Sequence, residues 1–371
     1  MKIGIDARFV GPQGTGLGKY TEKLIENLQK IDKKNNYVIF LTEDNWLYLK
    51  LENPNFKKVL ADVKWYSIDE QLKMAGIFNS QSLDLLHVPH FNVPILYRKK
   101  FVVTIHDLIH HNFLQESTTT RNFLVFKIKR LAYKTTIKSA IKRSVSIIAP
   151  SNYVKEEIIK TFNVKADKIT VTYEAAEEEY FRNRQSASDN RQSTLLYVGN
   201  VYPHKNISKL LDAINILKFK TKNLKLTIVC PRDVFQERLI AEIKKRKLKD
   251  VVDVKGYLSA KDLAGVFAKS SAYIFPSLSE GFGIPGLNSM ASQLPLISSR
   301  IPVLKEIYKD AAYYFDPNNA QDIASAIQKV LSDKKLQPDL IKKGSERVKQ
   351  FSWHKMAQET LNVYEKLNSI L

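Results

Sequence analysis

One cysteine, Cys230, stands in 371 residues. A lone thiol excludes an intramolecular disulfide framework and suits a reducing compartment. Nowhere do about 18 uncharged apolar residues run together, so no transmembrane helix is expected. The opening "MKIGIDARFVGP" lacks the layout of a secretion signal, and a cytoplasmic location is expected. Acids are scarce as well: 38 Asp and Glu face 58 Lys and Arg, a formal charge of +20. Zinc-ligand spacings, aromatic RNA-binding signatures and a recognisable helix-turn-helix are all missing, which argues against nucleic acid as the partner of that charge.

Between residues 117 and 155 there is no acid at all. Basic residues such as Arg121, Lys127, Arg130 and Lys134 alternate there with Phe123, Ile128, Leu131, Ile137 and Ile141. The mixture over 121–143 reads as a basic amphipathic helix, or two. It suits a solvated helix face or an anionic membrane surface.

The length and an apolar content of 44% fit two domains with sizeable cores. Short apolar strands alternate with helical patterns from the first residues onward: "KIGIDA", "NYVIFLT", "LLHVP", "FVVTIHD", "SIIAPS" and "KITVTY". After the polar run "RNRQSASDNRQS" the pattern restarts with "STLLYVGN" and continues through "LKLTIVC", "VVDVKGY", "SAYIFPS" and "LPLISS". Alternation of this kind predicts α/β architecture with two parallel sheets covered on both faces. The expected layout is a Rossmann-like domain over 1–182, a linker at 183–193, a second Rossmann-like domain over 194–350, and a helix over 351–371 packing back on the first. Ligands of such sheets bind beyond the carboxyl ends of the strands, so the loops there carry the functional candidates.

Four loops stand out. In "GPQGTGLGKYT" the glycines Gly14, Gly16 and Gly18 precede a helical pattern expected from about residue 19, and their amides could hold an anion. It is neither a dinucleotide fingerprint, since Lys19 replaces the third glycine, nor a Walker loop, since Tyr20 follows Gly-Lys. In "TIHDLIHH" His106 and Asp107 end an apolar strand, open to substrate contact or a structural hydrogen bond; metal binding through His106 and His110 lacks a second ligand cluster. "YVGNVYPHKN" ends a strand in Gly199 and brings His204 and Lys205 into a loop. "SEGFGIPGLNSM" sets Glu280 before Gly281 and Gly283, with Pro285 suited to the first turn of a short helix. One carboxylate, bare amides and a helix start make a notch suited to a diphosphate.

The segment from Glu280 through "LNSMASQLPLISS" closely resembles the donor-site motif of glycosyltransferase family 4, the retaining GT-B enzymes that use nucleotide-sugars. "GTGLGKYT", "VVTIHDL", "IIAPSNYVKEEII", "YVGNVYPHKN", "VKGYLSAKDLAGVFAKSSAYIFPSLSEGFG" and "FSWHKMAQETLNVYEKL" are similar to family segments in the right order, across most of the chain. The resemblance implies two Rossmann-like domains around a cleft and a sugar transfer. It places Gly16 near the donor diphosphate, His106 on the transferring sugar, and Lys205 on the pyrophosphate. Gly199 precedes Asn200, where the family often has arginine, and His204 stands where some mannosyltransferases carry another. Tyr257 and Gly256 match the backbone that meets the nucleobase. Glu280 and the Gly281, Phe282, Gly283, Ile284 backbone match the donor-sugar notch, and Asn288 replaces the family's second glutamate. As an amide it still offers ribose an acceptor oxygen without charge assistance.

The implied donor is GDP-mannose or a UDP-hexose, and the implied acceptor a cell-surface glycan or lipid-linked saccharide. No D-x-D pair is present, so no metal and no further cofactor is expected. The alternative function is a non-catalytic sugar-nucleotide-binding or scaffolding subunit of a glycan-assembly complex, motivated by Asn200 and Asn288.

Overall fold

The computed structural model describes residues 1–11, 15–112, 123–182, 193–221 and 223–369, which form two compact units. The first holds described residues within Met1–Asn112, Thr119–Glu174 and Ser352–Leu371; the second holds those within Ala175–Phe351. The polar segment 183–192 lies outside the described residues.

In the first unit the chain runs β1 (Lys2–Asp6), α1 (Thr15–Ile31), β2 (Asn36–Leu41), β3 (Phe56–Leu60), α2 (Ile68–Ser80), β4 (Leu85–Val88) and β5 (Phe101–Thr104). It continues with α3 (Ile109–Asn112), α4 (Phe123–Arg143), β6 (Ser146–Ala149), α5 (Asn152–Phe162) and β7 (Ile169–Val171). The seven strands are parallel in the order β3-β2-β1-β4-β5-β6-β7. Ile5 pairs with Ile39 on one side and His87 on the other. The chain reverses its direction of progress across the sheet between β1 and β4, which is the switch point.

The second unit opens with α6 (Glu178–Arg182), β8 (Thr194–Val198), α7 (Ile207–Leu217), β9 (Lys225–Val229), α8 (Val234–Lys245) and β10 (Val252–Lys255). Then come α9 (Ala260–Lys269), β11 (Ala272–Phe275), α10 (Ile284–Ala291), β12 (Leu296–Ser299), α11 (Pro302–Tyr308), β13 (Ala312–Phe315), α12 (Ala320–Ser332) and α13 (Leu336–Val348). Its six parallel strands follow the order β10-β9-β8-β11-β12-β13, with the switch point between β8 and β11. Both sheets are therefore Rossmann-like, as the strand–helix alternation predicts.

The strands read as continuous apolar runs because both faces of each sheet are covered; Ile5, Ile39, Leu86, Leu196 and Ile274 are fully buried. Each such side chain contributes about 1.5–3 kcal/mol relative to exposure. β3 and α2 escape the sequence pattern. β3 is an edge strand whose "FKKVL" carries two lysines, the usual protection of an open edge. The last helix, α14 (Trp353–Asn368), belongs to the first unit, packs on α1, and buries Met356, Ala357, Leu361 and Tyr364.

α4 is one helix, and its apolar residues do not share one stripe. Ile137, Ala140 and Ile141 enter the core, whereas Ile128 and Leu131 are 69% and 68% exposed beside exposed Lys127 and Lys129. The expected amphipathic pattern is thus split along the helix, core-facing at one end and open at the other. Residues 121 and 122 lie outside the described residues. No described helix is long and apolar enough to cross a membrane.

Candidate active site

The second unit's switch point sets the loop after β8 beside the loop after β11. Gly199, with φ +143°, turns the chain out of β8, and Tyr197 Oη donates to the Asn200 carbonyl at 2.6 Å. Asn206 holds the loop's far end in the left-handed region and ties it down by donating to the carbonyls of Pro276 and Pro317. Lys205 is thereby aimed at the neighbouring loop, where its Nζ donates to Glu280 Oε1 at 2.6 Å. Glu280 is only 8% exposed. His204 lies in the same turn, its ring 6.0 Å from Tyr202, and its carbonyl accepts from Leu278 N–H.

Gly281 leads into the turn before α10, and Gly283 caps that helix with φ +110°. A Cβ there would lie 2.3 Å from Tyr308 Oη, which itself donates to the Gly283 carbonyl at 2.6 Å. Glycine is required both by the backbone conformation and by that tyrosine. Ile284 opens the helix ahead of Pro285, which has no N–H to leave unpaired, and the Gly286 N–H donates to the Gly283 carbonyl at 3.1 Å, so the helix start follows Glu280 by four residues. The Phe282 ring is buried edge-on to Phe351 at 5.8 Å.

Asn288, 5% exposed, uses Oδ1 to accept from Glu177 N–H at 3.1 Å. One lone pair of the predicted ribose acceptor is therefore already engaged within the protein. Burial pushes the Tyr197 and Tyr308 phenols far above their ordinary range, with the Glu280 charge adding to it, so both remain protonated donors. Two buried polar atoms at this strand end, Asn200 Oδ1 and Ser277 Oγ, have no hydrogen-bond partner among the described residues. Unsatisfied groups there are what a polar ligand would complete.

Tyr257, 76% exposed, follows β10, and Gly256 before it packs under Arg232: a Cβ would come within 2.6 Å of Arg232 Nε. Arg232 was not foreseen as a site residue. It sits just past β9, the position that in this topology neighbours the β8 and β10 ends.

The first unit holds His106 and Gly16. His106 follows β5 and lies between Glu174 and the β4 end: Nε2 donates to the Pro89 carbonyl at 3.1 Å, and Nδ1 meets Glu174 Oε1 at 3.2 Å. Tyr20 of α1 packs edge-on against the ring at 4.7 Å. Behind it, His87 spans Thr104 and Tyr364 at 2.8 and 2.5 Å, and Tyr20 Oη lies 3.4 Å from Thr104 Oγ1. Glu174 also went unforeseen; the one signal is a carboxylate just after the strand "KITVTY". Asp107 Oδ1 accepts from Ile109 N–H and so starts α3.

α1 begins at Thr15, earlier than the sequence suggests, so Gly16 and Gly18 are helical. Gly16 is exposed with nothing near its missing Cβ, whereas Gly18 packs on the Phe9 carbonyl, where a Cβ would come within 2.2 Å. Gly14 lies outside the described residues. Among the described residues no group of three His, Cys, Asp or Glu side chains is placed to hold a metal ion.

Two Rossmann-like domains, one with a cation, a carboxylate and a helix start at its switch point, define a GT-B transferase architecture. The solved structure of sucrose-phosphate synthase from Thermosynechococcus elongatus shares it over 100% of both chains, with a TM-score of 0.80 and 19% identity. The family model described as Glycosyltransferase Family 4 matches residues 15–179, and that of Glycosyl transferases group 1 matches 179–347. The chain belongs to glycosyltransferase family 4 and is a glycosyltransferase. It is 26% identical to the O-antigen chain mannosyltransferase RfbU of Salmonella typhimurium over 94% of this chain and 95% of that one. The O-antigen chain mannosyltransferase B of Escherichia coli is 29% identical over 60% of each chain.

Proposed function

We propose that the protein is a retaining, metal-independent hexosyltransferase that moves mannose from GDP-mannose to a growing cell-surface glycan or lipid-linked saccharide; a UDP-hexose is the second donor to test. The observation that carries the proposal is the Lys205–Glu280 pair beside the α10 start at the second unit's switch point. It offers a diphosphate one cation and the positive end of a helix, and offers a hexose hydroxyl one carboxylate. The mannosyltransferase names of the two relatives support mannose.

In this reading the bond between the anomeric carbon and the diphosphate oxygen breaks through an oxocarbenium-like state. The acceptor oxygen bonds to the same face, and its proton passes to the departing phosphate. Lys205 and the helix start take up the charge that develops on the leaving group, which is why no cofactor or metal is invoked. Glu280 orients the sugar. The ligand-free ion pair keeps Lys205 and Glu280 compensated until an anionic donor competes for the lysine.

The α4 patch of Ile128, Leu131, Lys127 and Lys129 supports peripheral attachment to an anionic membrane surface, where a lipid-linked acceptor resides. The deciding experiment is a thermal-shift screen of sugar nucleotides followed by turnover assays, since a ligand stabilises the state it binds. GDP-mannose should give the largest shift and be consumed. Binding without turnover of any common sugar nucleotide would overturn the proposal.

A further inference from the structure

The first unit has its own switch point, between β1 and β4, and the loops there are aromatic. Phe9, past β1, stacks on Trp65 with ring centroids 4.2 Å apart and an interplanar angle of 20°. Tyr66 stands edge-on to Phe9 at 6.2 Å and to His90, past β4, at 5.6 Å. Tyr66 is nonetheless 58% exposed, so these contacts leave more than half of it open to a ligand.

Its backbone is held away from the common conformations. Tyr66 has φ +56°, a left-handed conformation that bulky residues seldom adopt and that persists only where surroundings enforce it. The enforcement is visible. Tyr66 N–H donates to Glu70 Oε2 at 2.7 Å. Glu70 is fully buried; its Oε1 accepts from Arg8 at 2.7 Å, and Asn92 Nδ2 donates to the same Oε2 that accepts from Tyr66. Arg8 is fixed in turn by both oxygens of Asp6 at the end of β1. A buried ion network thus anchors a strained turn whose one product is an outward-facing phenol.

The hydrogen bonds around that phenol leave it a spare donor. Asn92 N–H donates to His90 Nδ1 at 3.4 Å. Burial, with the nearby Arg8 charge adding, holds His90 neutral. A neutral ring accepting at Nδ1 carries its proton on Nε2, which therefore donates to Tyr66 Oη at 3.1 Å. The Tyr66 hydroxyl proton remains available to a ligand. Trp65 Nε1 is buried beneath this surface and has no hydrogen-bond partner among the described residues. One residue from His90, the Pro89 carbonyl receives His106 Nε2–H, so the cluster adjoins the histidine that the family resemblance sets on the sugar.

We infer that Tyr66, backed by the Phe9–Trp65 stack and held by His90, forms a saccharide subsite that takes one pyranose ring of the acceptor glycan. The ring's aliphatic C–H face lies on the negative face of the aromatic side chain, and a sugar hydroxyl accepts from Tyr66. This rests on the reading of the chain as a transferase to a glycan.

The test uses the full chain and four probes, the methyl α-glycosides of mannose, glucose, galactose and N-acetylglucosamine, titrated by saturation-transfer NMR and tryptophan fluorescence. Tyr66→Asn removes the ring with a residue that tolerates positive φ, and Tyr66→Phe removes only the hydroxyl. At least one glycoside should bind the unaltered protein in the millimolar range, about tenfold more weakly to Tyr66→Asn and about threefold more weakly to Tyr66→Phe. GDP and UDP affinities and the melting temperature should not change in either variant. If no glycoside binds, if Tyr66→Asn binds as the parent does, or if the variants lose nucleotide instead, the subsite is refuted. Consumption of sugar nucleotide by the unaltered protein is scored separately: its absence with glycoside binding intact removes the transferase reading, and its presence without glycoside binding removes only the subsite.

Discussion

Lys205 and Glu280, 75 residues apart in sequence, meet at 2.6 Å because β8 and β11 are neighbours in the second sheet. Each loop leaves its strand at the same end, so the switch point turns two separate polar residues into one charged notch. Lys205→Ala should weaken GDP and UDP binding about 10- to 100-fold, the effect of losing a charge-assisted hydrogen bond and leaving Glu280 without its partner. Lys205→Arg should restore most of it. Calorimetric titration checks this, and unchanged affinity in Lys205→Ala would take the lysine off the diphosphate.

Asn288 already accepts from Glu177 N–H. Asn288→Glu keeps an acceptor for that amide and adds charge toward a ribose diol, so GDP-mannose or UDP-hexose binding should tighten by up to about tenfold. Asn288→Leu should instead lower stability by about 1–3 kcal/mol by stranding the Glu177 N–H. Chemical denaturation separates the two effects; weaker donor binding in Asn288→Glu would end the ribose assignment.

Gly283 and Tyr308 form a lock at the start of α10. Gly283→Ala meets both a left-handed backbone and Tyr308 Oη, and should destabilise the protein by about 2–4 kcal/mol. Adding Tyr308→Phe removes the clashing atom but not the backbone strain, so part of the loss should return. A double-mutant cycle reads the coupling, and strict additivity would show that the two do not act on each other.

Acid stability should depend on His87. Burial pushes it down to about 3 from 6.5, while Thr104 and Tyr364 hold its two nitrogens. The unfolded chain takes up this proton first. The stabilisation is whole above about pH 6.5 and is lost by about 1.4 kcal/mol per pH unit as pH falls toward the folded value. His90 shifts in the same direction and steepens the slope. Melting temperatures from about pH 7 down to about pH 4 should fall, and His87→Gln should reduce the slope by about one proton. An unaltered slope in that variant would assign the loss to other groups.

Vesicle binding tests α4. Charge reversal at Lys127, Arg130 and Lys134 should abolish binding to anionic vesicles at low salt, with about 1 kcal/mol lost per basic residue near the surface. Ile128→Ser with Leu131→Ser should weaken it while leaving salt dependence in place. Binding unchanged by either set would remove the membrane assignment.

Much of the architecture was legible in the residues themselves. Apolar strands alternating with helices dictate parallel sheets, because a strand buried on both faces has no polar side to show. Strand ends ahead of Gly, His, Lys and Glu marked His106, Lys205 and Glu280, since loops at those ends are the only places where polar side chains leave the core together. β3 stayed hidden because edge protection demands charges, and α1 began early because glycine at 16 and 18 lowers helix propensity without forbidding the helix.

What the sequence determined, then, was periodicity and local chemistry: which segments must be covered, which turns need glycine, and which acids and bases stand at strand ends. Partnership was decided by tertiary structure. That Glu174 faces His106, that Arg232 overlies Gly256, that Asn288 is held by Glu177, and that Arg8 and Glu70 bend Tyr66 outward all follow from strand order and helix docking, which bring together residues that no local pattern relates.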